Sequence, residues 1–129
     1  MLFTIAMMSS VERIQYFSDE IPLEESTEQE SLTSVPESWP DQGCIQARDI
    51  EMRYRDGPPV LKGISFQIEG GQKIGIAGRT GSGKSSLLVA LFRMEKLEAG
   101  KLLIDGVDIS TVNLQILRSR LSIIPQDPV

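Results

Sequence analysis

Gly78-Arg79-Thr80-Gly81-Ser82-Gly83-Lys84-Ser85 is the stretch on which the fold turns. It matches G-x-x-x-x-G-K-[ST] at every fixed position. The five residues before it, 73–77 (KIGIA), predict a short apolar strand. The residues after it, 84–94 (KSSLLVALFRM), are apolar at helical spacing through Leu87, Leu88, Leu91 and Phe92. Strand, glycine-rich loop and helix form the setting that this motif requires. A glycine-rich turn before an ordinary helix is the plainer alternative.

The spacing has a chemical reason. A polyphosphate is a dense anion that needs several donors at once. Successive backbone N–H groups can form a nest around it. Glycine permits the backbone angles and the close approach. The helix that follows offers unpaired N–H groups and the positive end of its dipole. Lys84 would reach the β- and γ-phosphates as a point charge, and the Ser85 hydroxyl would ligate Mg²⁺. Arg79, Thr80 and Ser82 contribute mainly backbone.

Working outward, residues 101–105 (KLLID) predict a strand and Gly106 a turn. Asp105 resembles a metal-binding carboxylate at a strand end. It follows the loop helix too closely for that role, so it reads as a turn residue. Asp127 is no better placed. Residues 107–110 predict a short strand, 111–118 a short helix, and 121–124 a strand stopped by Pro125. Upstream, residues 44–55 mix Ile45, Ala47, Ile50, Met52 and Tyr54 with polar partners, alternating strictly from Ile50, and 60–68 alternate again, as half-buried strands do. The turn Asp56-Gly57-Pro58-Pro59 between them predicts an antiparallel hairpin. Gly70 and Gly71 turn the chain towards the loop.

The chain has 129 residues, a formal net charge of −5, one cysteine and no histidine. The absence of histidine excludes a Ser/His/Asp triad and a His-based zinc site within it. A lone Cys44 excludes an internal disulfide or thiolate cluster and fits a reducing compartment. Charge is unevenly spread. Residues 1–43 hold nine acids and one base, whereas 44–129 hold nine acids and twelve bases, so −8 and +3 sum to −5. The acidic balance argues against a broad nucleic-acid surface.

Three regions are therefore expected. Residues 1–17 are apolar-rich and read as a short helix, or as the tail of something longer. Their apolar run is too short for a membrane span, which needs about 20 residues. Residues 18–43 are acidic, hold Pro22, Pro36 and Pro40, and read as an extended linker. Trp39, its one large apolar anchor, is expected to lie against the body. Residues 44–129 form that body.

Several motifs in order resemble one family. Ser10-Val11-Glu12-Arg13-Ile14, Ser38-Trp39-Pro40, Met52-Arg53-Tyr54-Arg55, 60–66 (VLKGISF), the loop with Ser86, and 123–129 (IIPQDPV) all take part. Together they resemble the N-terminal part of an ATP-binding cassette (ABC) transporter nucleotide-binding domain. The likeness is to subfamily C, the multidrug-resistance-associated proteins, and to their second cassette. It implies an α/β P-loop NTPase core with an antiparallel β hairpin, truncated, behind a disordered acidic linker.

The resemblance also implies roles. Tyr54 matches the aromatic that stacks on adenine; otherwise it reads as a packed strand aromatic. Gly78, Arg79, Thr80, Gly81, Ser82, Gly83, Lys84, Ser85 and Ser86 match the loop that holds ATP. Ser85 and Gln126 match Mg²⁺ contacts, and Gln126 and Lys84 the residues that serve the reaction. The partners implied are transmembrane domains and a second nucleotide-binding domain, on the cytosolic face of a membrane. An LSGGQ-type signature, an acidic strand with its catalytic glutamate and a switch histidine are missing. A fragment is therefore expected, with no hydrolysis by the isolated chain. Two further readings stay open: a module that binds nucleotide weakly or misfolds, and a small P-loop kinase.

Overall fold

The computed structural model describes residues 2–20 and 33–124. The chain divides into two compact units, Met1–Glu30 and Ser31–Val129. In the first, a helix α1 runs Leu2–Asp19. Its far end exposes Val11, Ile14, Tyr16 and Phe17, and the rings of Tyr16 and Phe17 meet edge to face with centroids 6.0 Å apart. Among the described residues, no helix is long and apolar enough to cross a membrane.

The second unit is built on a four-stranded antiparallel sheet in the order β2-β1-β3-β4. Strands β1 (Ile45–Arg53) and β2 (Pro59–Ile68) form the expected hairpin. Strand β3 (Ala99–Ile104) lies on the other side of β1, and β4 (Val107–Asp108) returns beside β3. Helix α2 runs Lys84–Leu91 and α3 runs Leu114–Ser119.

In β1, Ala47, Ile50 and Met52 all face the core, which simple alternation forbids. A bulge resolves this. The ladder shifts register between Ala47 and Ile50, where Asp49 takes φ 47°. An extra residue turns the strand's second half so that Ile50 and Met52 also point inward. The Ser65 hydroxyl pins the bulge, accepting from the Asp49 N–H and donating to Asp49 Oδ1, both at 2.8 Å. Opposite, Gly100 sits at φ +81°, and a Cβ there would strike the carbonyl oxygens of Arg48 and Asp49. Only glycine fits that place.

The core joins Ile50, Met52, Leu61, Leu102, Ile104, Ile109, Val112 and Leu117 with Trp39 and Ala90. Trp39 is 5% exposed, and its Nε1–H donates to the Ile104 carbonyl at 3.1 Å. Residues 33–43 thus belong to the folded body, upstream of the boundary that composition suggests. Thr33 N–H also bonds the Thr111 carbonyl at 2.9 Å.

Helix α2 ends before the glycine at position 100. Arg93 takes the left-handed position, φ 48°, that glycine usually fills. Its N–H bonds the Ala90 carbonyl at 3.1 Å, and Met94 N–H bonds the Val89 carbonyl at 3.0 Å. The Arg93 guanidinium donates to the carbonyls of Ile109 and Val112, at 2.9 and 2.6 Å. Arg118 donates to the carbonyls of Phe92 and Arg93, both at 3.0 Å. Two of the body's twelve bases are therefore structural clamps.

Three sequence expectations need correction. The helix predicted over 111–118 begins only at Leu114, because Asn113 Oδ1 caps it by accepting from Gln115 and Ile116 N–H. Residues 109–111 are a separate 3₁₀ turn. The strands predicted over 73–77 and 121–124 pair with none of the four strands. A β-strand exists through its ladder, and neither segment has a partner among the described residues. Ile74, Ile76 and Ile123 are accordingly about half exposed (54%, 53% and 51%), and Ile124 is 91% exposed.

Candidate functional site

The glycine-rich loop lies at the start of α2, braced against the hairpin. Gly83 adopts φ +88°, and a Cβ there would stand 3.1 Å from the Val60 carbonyl oxygen and 3.4 Å from Leu61 Cδ2. Glycine therefore lets the helix start directly on β2. At the loop's other end, a Cβ on Gly78 would stand 2.5 Å from Ser82 Oγ and 3.8 Å from Lys84 Cδ. The loop closes on itself there, helped by Ser82 N–H to the Arg79 carbonyl at 3.1 Å. Gly81 sits at φ +80°.

Lys84 curls back over this loop. Its ammonium donates to the carbonyls of Gly78 and Arg79, both at 2.8 Å. A positive charge is thus held within the loop. Gly83 gives α2 no side-chain cap. The first-turn N–H groups of a helix have no intrahelical partner, so this end of α2 keeps donors and a positive dipole for a ligand. Ser85 is exposed in that first turn, whereas Ser86 is buried at 7% exposure. Residues 78–82 are all exposed.

Tyr54 follows β1 directly. Its carbonyl accepts from Gly57 N–H at 3.0 Å in the hairpin turn. Its hydroxyl donates to Ser86 Oγ at 3.1 Å. The hairpin therefore delivers an aromatic ring, 39% exposed, to the first turn of α2. The structure brings Tyr54, Gly78, Arg79, Ser82, Lys84 and Ser86 into one neighbourhood. Gln126 lies outside the described residues. The bond between Tyr54 and Ser86 has no signal in the sequence, where the two stand 32 positions apart.

Asp105 is bound elsewhere. Its Oδ2 accepts from the N–H groups of Asp41, Gln42 and Gly43 at 2.8, 3.0 and 3.1 Å, and its Oδ1 from Cys44 N–H at 2.7 Å. Burial opposes its charge. The backbone donors of Gly43, Cys44, Gln42 and Asp41 together outweigh that and hold the carboxyl below its ordinary value. Among the described residues, no group of three His, Cys, Asp or Glu side chains could hold a metal.

Comparison with known proteins agrees with this geometry. The family model for ABC transporters matches residues 61–129. The ABC-type transporter cicA of Emericella nidulans is 52% identical over 122 residues, covering 94% of this chain and 9% of that protein. ABC transporter C family member 5 of Dictyostelium discoideum is 51% identical, covering 95% of this chain and 9% of its own length. The oligomycin resistance ATP-dependent permease YOR1 of Saccharomyces cerevisiae is 50% identical, covering 95% and 8%. This chain therefore spans less than a tenth of each of these relatives. Among solved structures, a bacterial Atm1-family ABC exporter with ATP bound superposes with a TM-score of 0.71 at 28% identity, over 95% of this chain and 21% of that one. The sheet, loop and helix are those of the ABC cassette fold, and the chain belongs to the ABC transporter family.

Proposed function

We propose that this chain supplies the ATP-binding front of a cassette, the second of its transporter, in an ATP-hydrolysing membrane exporter of organic anions or xenobiotics. The observation that carries the reading is the Lys84 ammonium, held over the loop by two carbonyls beside an uncapped helix end. Polyphosphate oxygens would exchange for those carbonyls and keep the ammonium where it already lies. Residues 78–85 would wrap the phosphates through their backbone, and the dipole of α2 would favour the negative charge. Tyr54 would stack on adenine from the hairpin side.

The residues present fit Mg²⁺ sparsely. Ser85 would hold it with one hydroxyl, with Gln126 as a second contact by family likeness. A magnesium ion usually takes few protein ligands and fills its shell with water and phosphate oxygens. When bound, it would neutralise charge shared between the β- and γ-phosphates. The whole transporter would add transmembrane domains and a second cassette, placing this one on the cytosolic face of a membrane.

By itself, the 129-residue chain would bind nucleotide without hydrolysing it. Asp105 is engaged by four backbone amides and cannot serve as base for an attacking water. The test is isothermal calorimetry with ATP and Mg²⁺ beside an assay of phosphate release. Binding that Lys84→Ala weakens by roughly 10- to 100-fold, without phosphate release, supports the reading. ATP affinity that is unaffected by Lys84→Ala would overturn it.

A further inference from the structure

Helix α2 is short, and its two ends are held differently. An isolated helix needs about 12–15 residues to persist in water, and α2 has 8. At its start, the first-turn N–H groups have no side-chain cap. At its end, the Arg118 guanidinium donates to the carbonyls of Phe92 and Arg93. Arg93 in turn donates to the carbonyls of Ile109 and Val112, in the 3₁₀ turn and just after it. The two arginines therefore cross. One reaches from α3 to the end of α2, the other from the end of α2 to the turn before α3. Ala90, Ile109, Val112 and Leu117, on the same three segments, are buried together in the core. Helix α3 has only 6 residues and depends on this joint still more. Loss of either helix strips the other of these partners.

We infer that α2, the turn 109–111 and α3 open and close as one cooperative unit, pinned by Arg93 and Arg118, and that polyphosphate bound at the start of α2 closes all of it. Occupancy of the loop is thereby passed to residues 121–124, which follow α3 directly. The route runs through the far end of α2 and needs no metal. Two sites coupled to one local opening are linked in both directions. The inference rests on the reading of the loop as a polyphosphate site.

The test is amide hydrogen exchange on the full 129-residue chain, with inorganic tripolyphosphate in EDTA as the probe. A ligand held only by the closed unit multiplies the protection of every amide in that unit by one plus the ratio of free ligand to Kd. The Leu87 and Leu117 N–H groups, bonded to the carbonyls of Gly83 and Asn113, report α2 and α3. At about nine times the calorimetric Kd, both should gain roughly tenfold in protection. The Asp105 N–H, bonded to the Cys44 carbonyl outside the unit, should gain less than about twofold. Arg118→Lys keeps the charge but not the planar fork, and should cut the gain at Leu117 below about twofold while Leu87 keeps its own. Arg93→Lys should do the same. A gain at Leu87 with none at Leu117 in the parent chain would overturn the inference. So would a gain at Leu117 that Asp105 matches, or one that survives both variants. The comparisons within the parent chain decide the matter even where a variant fails to fold. A parent chain that binds no tripolyphosphate is a different failure: it removes the reading of the loop, and this inference with it.

Discussion

Among the described residues, backbone N–H groups converge on an anion at one place and stand without a side-chain cap at another. At the turn 41–44, four consecutive amides converge on the Asp105 carboxylate at 2.7–3.1 Å. The chain supplies the charge itself, and the result is a clasp that ties the segment carrying Trp39 to the end of β3. At the start of α2, no acidic side chain caps the helix, and the loop before it is exposed. A lysine rests there on carbonyl oxygens in place of an anion. The same physics makes a structural joint in one place and, in the function proposed above, a binding site in the other. The difference lies in whether the sequence fills the donors from within.

The largest break in this comparison should come from Lys84→Ala. Removing the ammonium that rests on the loop's carbonyls should weaken ATP by roughly 10- to 100-fold, as for a charge-assisted hydrogen bond. Thermal stability should change by under about 0.5 kcal/mol, the usual range for a surface substitution. Calorimetric titration and a melting curve on the same sample check both. A large drop in stability would make Lys84 a structural clasp like Asp105.

Asp105→Asn tests the opposite corner. It removes the charge and keeps the shape, and should cost about 1–3 kcal/mol of stability. ATP affinity should remain within about twofold, since the clasp lies away from the loop. Trp39 is the single tryptophan and bonds the Ile104 carbonyl next to Asp105, so its fluorescence reports unfolding of this corner. An equal loss of ATP affinity would show that the two sites are not independent.

The pH dependence follows from the same carboxylate. Its folded pKa lies below the unfolded one, so its stabilisation is fully present above the ordinary aspartate value. It is lost as pH falls through the folded value, below about pH 4. Acid titration of the Trp39 signal should show this component in the parent chain and lose it in Asp105→Asn. Identical acid profiles would remove the clasp from the account.

The contrast also explains what was legible in the sequence. The glycine-rich loop could be read because its motif is local: glycines, lysine and serine at fixed spacing in one short stretch. The hairpin and Trp39's burial could be read because alternation and residue type report them directly. The clasp could not, because Asp105 finds donors more than 60 positions away and any four amides would serve. The bulge at Asp49 left a trace, the change of phase from Ala47 to Ile50, but that break alone does not tell a bulge from the end of a strand. Arg93 at a helix end replaces an expected glycine because its guanidinium gains two carbonyls, a tertiary gain invisible to local rules. The segments 73–77 and 121–124 carry a strand's composition. Composition cannot provide a ladder partner, and the described residues hold none.

The smallest expected effect belongs to Arg79. Its carbonyl accepts from both Ser82 N–H and the Lys84 ammonium, so its backbone is part of the loop's closure. Its side chain is exposed, and an exposed charge near a phosphate contributes about 0.2–1 kcal/mol, screened by salt. Arg79→Ala keeps the carbonyl and should weaken ATP by roughly 1.5- to 5-fold in dilute buffer. The loss should shrink towards nothing at about 0.5 M salt, where screening acts within a few ångströms. Lys84→Ala, which removes a half-buried ammonium held on two carbonyls, should keep more of its effect there, because partly buried charges are screened less. Calorimetry of both variants at two salt concentrations separates an exposed charge near the loop from one resting on its carbonyls. If the two losses fade together, Lys84 is no more shielded than Arg79, and the contrast between an open donor site and a filled one loses its lysine.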